Sequence, residues 1–278
     1  VRMKKEKGAL GWALIGIAAL FLLVMLVLPL VLVASEALAK GWQMYLRAIT
    51  EPVAVKALYL TLEATVLAVI SNTVFGLASA FLLTKFSFRG KSLIGSMIDL
   101  PFAISPVVAG LFFVMLFGRM SPLYPFLRAE HIAIVFAVPG IILATVFVTF
   151  PFITRELVPV MEAQGRDEEE AAATFGASGW QIFRYVTLPN IKWALVYGVI
   201  LCTARAMGEF GAVSVVSGHV RGKTNTLPLH IEILYNEYNF TAAFAVASIL
   251  VILAVLILVL RNLAEGRAKG GSSHAESI

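Results

Sequence analysis

The stretch DEEEAAATFGASGWQIFRYVTLP, residues 167–189, is a polar island in a chain that is otherwise strongly apolar. Of the 278 residues, 59% are hydrophobic and 14% are charged, and the mean hydropathy is +0.88. Soluble domains are usually about half apolar and about a quarter charged. We therefore expect an all-α integral membrane protein in which this stretch lies outside the bilayer.

The residues of the island predict two short helices on one face of the membrane. The acids Asp167–Glu170 suit a helix start, where the backbone dipole is positive, and the alanines that follow favour helix. Gly176 is expected to end the first helix in a left-handed turn. Ser178 is expected to cap the second helix, and Pro189 to stop it.

Six apolar runs are each long enough to cross the hydrocarbon as a helix, which takes about 20 residues. The first run also has a rival interpretation as a signal peptide, because Ala37-Leu38-Ala39 resembles a cleavage site. Signal cores span about 7–15 residues, so the length of this run favours a membrane span. The runs are Ala9–Ala39, Ala57–Thr84, Ser92–Gly118, Ile132–Ile153, Trp193–Ser217 and Thr241–Leu260.

The basic residues predict the orientation. Lys and Arg are about twice as frequent in the segments on the side of the acidic island as on the opposite side, and the richer side is normally cytoplasmic. Both termini are then expected in the cytoplasm. The predicted organisation is a cytoplasmic segment over 1–8, a transmembrane domain over 9–260 with a cytoplasmic loop over 154–192, and a tail over 261–278 whose composition predicts disorder.

Several functions are disfavoured by the residues alone. The chain has no basic patch with interleaved aromatics, so we expect no nucleic acid partner. The single Cys202 excludes an intramolecular disulfide and a thiolate metal cluster. No two histidines stand three or four residues apart, so a helical metal pair is not expected. The segment Gly218–Thr224, GHVRGKT, is one residue short of a P-loop and lacks a strand-to-helix context.

The spacing of Glu170-Ala171-Ala172, Gly176 and Val186-Thr187-Leu188-Pro189 resembles the EAA loop of binding-protein-dependent, MetI-like ABC importer permeases. The family usually has isoleucine where this chain has Val186. In that family the first loop helix sits in a groove of a separate ATP-hydrolysing subunit. The resemblance implies an ATPase-coupling role for Glu168, Glu169, Glu170, Ala171, Ala172, Gly176, Leu188 and Pro189.

Three further stretches, Asp99–Leu111, Phe147–Met161 and Ala204–Gly218, are similar to sulfate/thiosulfate permeases of the W type. This resemblance implies the six-helix type I importer permease fold in a bacterial inner membrane. It also implies a related T-type permease partner, two ATP-binding subunits that carry ATP and Mg, a periplasmic or extracellular sulfate-binding protein, and surrounding lipid. The chain itself is expected to bind no cofactor and to catalyse no reaction.

Other interpretations stay open at this point. Molybdate or tungstate permeases are close relatives of the sulfate group, so the anion is not fixed. An ion-coupled secondary anion transporter would need no such loop and usually has internal repeats, which are not evident in the sequence. A membrane-embedded enzyme would need a nucleophile–base pair or a metal cluster at membrane depth. The acidic island itself has a second interpretation as a hairpin lying on lipid headgroups, which its acids disfavour.

Ionisable residues inside the apolar runs are candidates for the anion route. Arg205 and Glu209 stand four apart and would share one helix face. Charged groups in hydrocarbon normally face a bundle interior or a wet cavity. The pair is therefore either a structural clamp between spans or an anion gate in which Glu209 holds Arg205 in place.

Three more residues belong to this set of translocation candidates. Asp99 precedes Leu100-Pro101 and is expected mainly to accept hydrogen bonds from a neighbouring helix or to offset a basic group. Ser105, near a kink predicted from Pro101 and Pro106, is a possible hydrogen-bond donor to sulfate. Glu63 is either a second partner for the arginine of the fifth run or a residue of the water-filled route.

One loop on the opposite side of the membrane is a candidate contact for a substrate-loaded binding protein. Arg221 and Lys223 lie in it and would meet acids on that partner. The alternative is a solvated loop that only connects spans.

Overall fold

The computed structural model describes the backbone of residues 9–275 and the side chains of residues 11–264. The predicted N-terminal segment 1–8 and the last three residues of the predicted tail lie outside the described residues. Every regular element in residues 9–275 is helical, which confirms the all-α prediction. The helices are α1 (Ala9–Leu22), α2 (Leu28–Leu38), α3 (Trp42–Thr50), α4 (Pro52–Lys85), α5 (Lys91–Ala103), α6 (Pro106–Phe117), α7 (Tyr124–Ala129), α8 (Val138–Thr149), α9 (Pro151–Gln164), α10 (Asp167–Thr174), α11 (Gly179–Ile182), α12 (Leu188–Met207), α13 (Gly211–Ser217), α14 (Leu227–Asn236) and α15 (Phe240–Ala275).

Short π-helical segments join two pairs of neighbouring helices into longer rods. Leu23–Val27 links α1 to α2, and Phe183–Thr187 links α11 to α12. Five rods in the described residues are then long and apolar enough to cross a membrane, and a bent helix pair supplies a sixth. The rods are Gly11–Leu38, Pro52–Lys85, Val138–Gln164, Gly179–Met207 and Phe240–Ala264. The predicted count of six spans is thus reached with the bent pair counted as one.

The third predicted span is broken rather than merely kinked. Its two halves, α5 and α6, are bent by 108°, and we call them the bent helix pair. Ile104 and Ser105 between them have extended backbone, with ψ of 135° and 134°. The residue before a proline is pushed out of the helical region, so Pro106 accounts for the extended Ser105 and then starts α6.

The fifth predicted span is displaced towards the acidic island. It was expected over Trp193–Ser217, but the rod runs from Gly179 to Met207, and the chain breaks at Gly208 before α13. Glu209 therefore lies in a break between helices. The fourth span is displaced in the same direction and ends at Gln164, so the prediction that Arg155 lies in a loop is wrong. The last helix continues past the predicted span end at Leu260 as far as Ala275.

Close packing of three rods around Ile153 forms the centre of the bundle. A Cβ on Gly76 of α4 would lie 2.7 Å from Ile153 Cγ2, and one on Gly198 of α12 would lie 3.2 Å from Ile153 Cα. Only glycine permits this approach, because overpacking by added methyl groups costs about 1–3 kcal/mol.

A buried polar contact holds the same three rods in register. The Asn72 side chain is fully buried, and its Nδ2 donates to Thr149 Oγ1 at 2.7 Å and to Val146 O at 3.2 Å. The same Nδ2 lies 3.7 Å from Cys202 Sγ. Hydrogen bonds between membrane helices contribute about 0.6 kcal/mol each on average, so this contact specifies register more than it adds stability.

Candidate functional site

The acidic island folds as a short helix that ends in a defined turn. All four acids occupy the first turn of α10. Gly176 has φ of +85°, its N–H donates to Ala173 O at 2.9 Å, and the Ala177 N–H donates to Ala172 O at 3.1 Å. This pair of bonds is the Schellman motif, in which a left-handed glycine closes a helix. The predicted left-handed turn at Gly176 is confirmed.

The second predicted helix of the island is the beginning of a membrane span. Ser178 forms a capping box with Gln181, as the helix-start prediction for Ser178 required. The prediction that Pro189 ends this helix is wrong, because the rod continues to Met207. The π turn Phe183–Thr187 precedes Pro189, and the Leu188 N–H bonds back to Phe183 O. Such a π-helical turn is a common accommodation of an irregularity within a helix.

The helix α10 is tied to the ends of three rods by a cluster around Lys85. Lys85 Nζ lies 2.9 Å from Glu169 Oε2 and donates to Gly165 O at 2.8 Å. Thr187 Oγ1 donates to the other oxygen of Glu169 at 2.7 Å. Arg166 Nη2 donates to Lys85 O at 2.7 Å. We call these residues the Lys85 cluster, and they connect the acidic helix to α4, α9 and the Gly179–Met207 rod.

The Lys85 cluster is largely screened from water. The Lys85 and Glu169 side chains are 9% and 19% exposed, so their ion pair is not a loose surface contact. Glu168 is also engaged inside the chain, because its Oε2 accepts from Asn190 Nδ2. Two of the acids proposed to face an ATPase therefore also brace the island against its own spans.

The outward face of the island is small, acidic and aromatic. Glu170, Ala171 and Gly176 are exposed, and Ala172 and Leu188 are partly exposed. Three aromatic side chains next to them are mostly exposed, at 91% for Phe175, 69% for Tyr185 and 68% for Trp180. A cleft of about 370 Å³ lies between α10 and the following helix. Large exposed apolar side chains grouped in this way are typical of surfaces that contact another protein or a membrane.

Arg205 and Glu209 form the ion pair that their spacing predicted, although not on one continuous helix. Arg205 Nη1 lies 2.6 Å from Glu209 Oε2, with side-chain exposures of 33% and 1%. Glu209 Oε1 accepts the Ala212 N–H at 2.8 Å. The carboxylate therefore has two functions, since it caps the start of α13 and neutralises the arginine.

The Arg205–Glu209 pair lies next to the bend of the bent helix pair. A Cβ on Gly211, two residues after Glu209, would lie 2.9 Å from Pro106 Cβ. Ser105 precedes Pro106, is exposed and caps α6 without a side-chain hydrogen bond. The structure thus brings Arg205, Glu209 and Ser105 to one region, where two interrupted helices meet.

Asp99 finds the basic partner that was expected for it, and the partner is Arg155. Arg155 Nε donates to Asp99 Oδ1 at 2.8 Å, and the guanidinium lies over the Phe102 ring, 4.7 Å from its centroid. Arg155 was not among the predicted site residues, because it had been assigned to a loop. Glu63 is exposed and makes no ion pair with Arg205 or with any other residue among those described.

The opposite end of the bundle has its own contacts between ionisable side chains. Arg221 pairs with Glu237, and His219 Nε2 lies 3.3 Å from Glu232 Oε2. The segment Gly218–Thr224 consists mostly of turns. Within residues 11–264, no three His, Cys, Asp or Glu side chains are grouped to hold a metal ion.

Comparison with known proteins agrees with this geometry. Residues 72–269 match the family model described as binding-protein-dependent transport system inner membrane component. The sulfate transport system permease protein CysW of Escherichia coli K12 is 46% identical over 95% of this chain and 91% of its own length. CysT of the same organism, also a sulfate transport system permease protein, is 37% identical over 91% of both chains.

A solved structure shares the fold. A bacterial alginate ABC transporter, crystallised with an alginate-bound periplasmic protein, has a chain that superimposes with a TM-score of 0.78 at 15% identity, covering 93% of this chain and 94% of that one. The matched family model spans more than half of the sequence, and the relatives match nearly end to end. The chain belongs to the family of binding-protein-dependent transport system inner membrane components, the permease subunits of ABC transporters.

Proposed function

We propose that this chain is a transmembrane permease subunit of an ATP-driven importer of sulfate or thiosulfate. The observation that carries this proposal is the 46% identity to a sulfate permease protein over 95% of the chain. Identity of this extent covers the acidic island, the bent helix pair and the Arg205 region together. Molybdate and secondary-transport alternatives have no comparable support.

The working complex contains several different subunits. A related T-type permease completes the route, two copies of an ATPase bind ATP and Mg, and a sulfate-binding protein delivers the anion. CysW and CysT of one organism both resemble this chain, which supports a pair of related but non-identical permeases. This chain then forms half of the translocation route and has no nucleotide site of its own.

The proposed orientation has the acidic island in the cytoplasm. The basic residues are concentrated on that side, in accordance with the positive-inside rule. Both termini are then cytoplasmic, in a bacterial inner membrane. Arg221 and Lys223 are on the outer side, where the binding protein approaches.

Coupling follows from the contacts of the island. The ATPase grips the exposed surface formed by Glu170, Ala172, Phe175 and Gly176. The Lys85 cluster transmits the resulting displacement to three rods at once. Packed helices change between discrete arrangements rather than deforming continuously, so the rods move together. Arg205, beside the bend and one-third exposed, then attracts the anion while Glu209 fixes the position of its guanidinium.

The proposal is tested by uptake into reconstituted vesicles. The complete complex is placed in vesicles with the sulfate-loaded binding protein on one face and ATP on the other, and radiolabelled sulfate inside is counted. We expect uptake that requires both components and is competed by thiosulfate. Uptake that ignores ATP and follows a proton or sodium gradient would contradict the proposal.

A further inference from the structure

The ion pair of Asp99 and Arg155 joins two helices that belong to candidate membrane spans, and it lies away from the helix ends. Asp99 is eight residues from the start of α5, and Arg155 is nine residues from the end of α9. At about 1.5 Å per residue, they lie roughly 12 and 14 Å from the side of the acidic island. The rod Val138–Gln164 has 27 residues, about 40 Å at this rise, which exceeds the hydrocarbon core of about 30 Å. The pair therefore lies in the half of the span nearer the acidic island.

One side of the Asp99–Arg155 pair is not covered by other residues of this chain. The Arg155 side chain is 56% exposed and that of Asp99 is 45% exposed. Charged groups facing lipid at this depth are costly. The exposed side therefore faces water or another protein, and the surface that carries it belongs to the bent helix pair and α9.

The terminal N–H groups of the Arg155 guanidinium make no hydrogen bond among those described. Its described hydrogen bond uses Nε alone, and the flat face of the group lies on Phe102. Phe102 is itself held edge to face by Phe152, with ring centroids 5.1 Å apart. A guanidinium fixed in this way still offers its terminal N–H groups, and their geometry suits a bidentate contact with an oxyanion.

The Asp99–Arg155 pair and the Arg205–Glu209 pair lie along the same bent helix pair. Gly211 against Pro106 places the Arg205–Glu209 pair beside the bend. Phe102 and Asp99 precede the same bend on α5. Two arginines, each with one carboxylate partner, therefore follow one another along the bent helix pair.

We propose that Arg155 and Asp99 form a second anion-binding site for a divalent oxyanion, between Arg205 and the cytoplasm. The anion displaces Asp99 from the guanidinium of Arg155, and the Asp99–Arg155 ion pair forms again when the anion leaves. The carboxylate thereby limits how tightly the anion is held. This inference rests on the proposed function and adds Arg155, which was not among the predicted site residues.

The first test measures access and charge at Asp99. The chain has one native cysteine, the buried Cys202, so an Asp99→Cys variant introduces one reactive position. The assembled complex is treated with anionic or cationic methanethiosulfonate reagents, and labelling of this subunit is followed by intact mass. We expect the anionic reagent to react at least about tenfold faster, because Arg155 attracts it, and sulfate to slow the reaction.

Two matched variants complete this test. Adding Arg155→Gln to Asp99→Cys is expected to remove both the charge preference and the sulfate protection. Phe75→Cys is the depth control, since Phe75 is 56% exposed and ten residues from the end of α4; it should show neither effect. Absence of labelling at position 99, or labelling indifferent to Arg155 and sulfate, would overturn the inference.

The second test measures transport. We expect Arg155→Gln to reduce sulfate uptake at least about tenfold, with ATPase stimulation by the loaded binding protein retained, and Arg155→Lys to recover part of the uptake. Uptake at the wild-type rate in Arg155→Gln would refute the second site while leaving the proposed function intact. If wild-type vesicles take up molybdate but not sulfate, the proposed substrate fails, and molybdate replaces sulfate as the protecting anion in the labelling test.

Discussion

The Lys85 cluster and the Asp99–Arg155 pair are both ionic contacts between helices, but they are built in opposite ways. In the cluster, Glu169 accepts from a lysine and a threonine, and Lys85 also donates to a backbone carbonyl. In the pair, one nitrogen meets one oxygen and about half of each side chain is exposed. The first contact has several partners on each side, whereas the second uses one nitrogen and one oxygen.

This difference suits the Lys85 cluster to transmitting movement between helices and the Asp99–Arg155 pair to binding an ion in transit. A mostly buried charge pair is strongly destabilised when one partner is removed, so it keeps two elements together during movement. A half-exposed pair exchanges its partners at little cost, because water and ions compete with each contact. A lysine–carboxylate pair thus connects two elements in one place, and an arginine–carboxylate pair forms a binding site in the other.

The largest effect is expected from breaking the Lys85 cluster. Lys85→Met leaves Glu169 without its cation, and loss of one partner from a buried pair costs about 3–5 kcal/mol. We expect ATP hydrolysis to continue while sulfate uptake falls at least tenfold, because the island no longer moves α4. Parallel assays of phosphate release and radiolabelled uptake measure the ratio.

A charge exchange provides the control for this prediction. The double variant Lys85→Glu/Glu169→Lys keeps the pair with reversed polarity and should recover part of the coupling. If Lys85→Met retains the wild-type ratio of sulfate uptake to ATP hydrolysis, the cluster stabilises the fold but does not transmit movement.

The next effect separates the two interpretations of Arg205 and Glu209. In the double variant Arg205→Met/Glu209→Gln the buried charge is removed with its partner, and the glutamine oxygen still accepts the Ala212 N–H. We expect the complex to assemble normally and uptake to fall severalfold or more. Co-purification of all subunits and vesicle uptake are the measurements, and normal uptake would identify the pair as a clamp.

A smaller effect is expected from the turn of the acidic island. Gly176 has φ of +85°, a region that costs other residues about 1 kcal/mol. Gly176→Ala should lower the melting temperature of the complex slightly and weaken uptake. Gly179→Ala is the matched control, since an added Cβ there meets nothing within 4 Å and φ is not positive. Equal responses of the two variants would contradict the role given to the Schellman turn.

The smallest effect concerns a buried polar group without an ionic partner, on the opposite side of the membrane. His230 is 2% exposed, and burial lowers its pKa below the ordinary value. The unfolded chain therefore binds more protons, so the stabilisation is complete above about pH 6.5 and is lost as pH falls below it. The complex should melt at lower temperature at pH 5.5 than at pH 7.5. His230→Gln should reduce this difference, and an unchanged difference would assign it to other groups.

Much of the fold could be predicted from local residue patterns. Length and apolarity indicated six spans, and Gly176 and Ser178 indicated the two halves of the acidic island. These signals are reliable because a left-handed turn and a helix cap each depend on one or two residues. The ends of the spans were less predictable. Pro189 normally indicates the end of a helix, but here the helix continues through it after the π turn Phe183–Thr187. No residue pattern predicted that turn.

The site was predicted only where partners are close in sequence. Arg205 and Glu209 stand four residues apart and could be paired by eye. Lys85 and Glu169 are 84 positions apart, and Asp99 and Arg155 are 56 apart. Their pairing therefore depends on how α4 packs against α10 and how α5 packs against α9. A useful signal was nevertheless present for Arg155, since a single arginine at the end of an apolar run requires a counter-charge.

The most direct test of coupling is a crosslink from the acidic island to the ATPase. A photo-crosslinking amino acid replaces Glu170 in the assembled complex, and the yield of product with the ATPase is compared with and without ATP. We predict a crosslink to that subunit, formed only at the cytoplasmic face and changing with nucleotide. A residue 170 that reacts from the outer face, or that gives no ATPase product in any nucleotide state, would contradict the account.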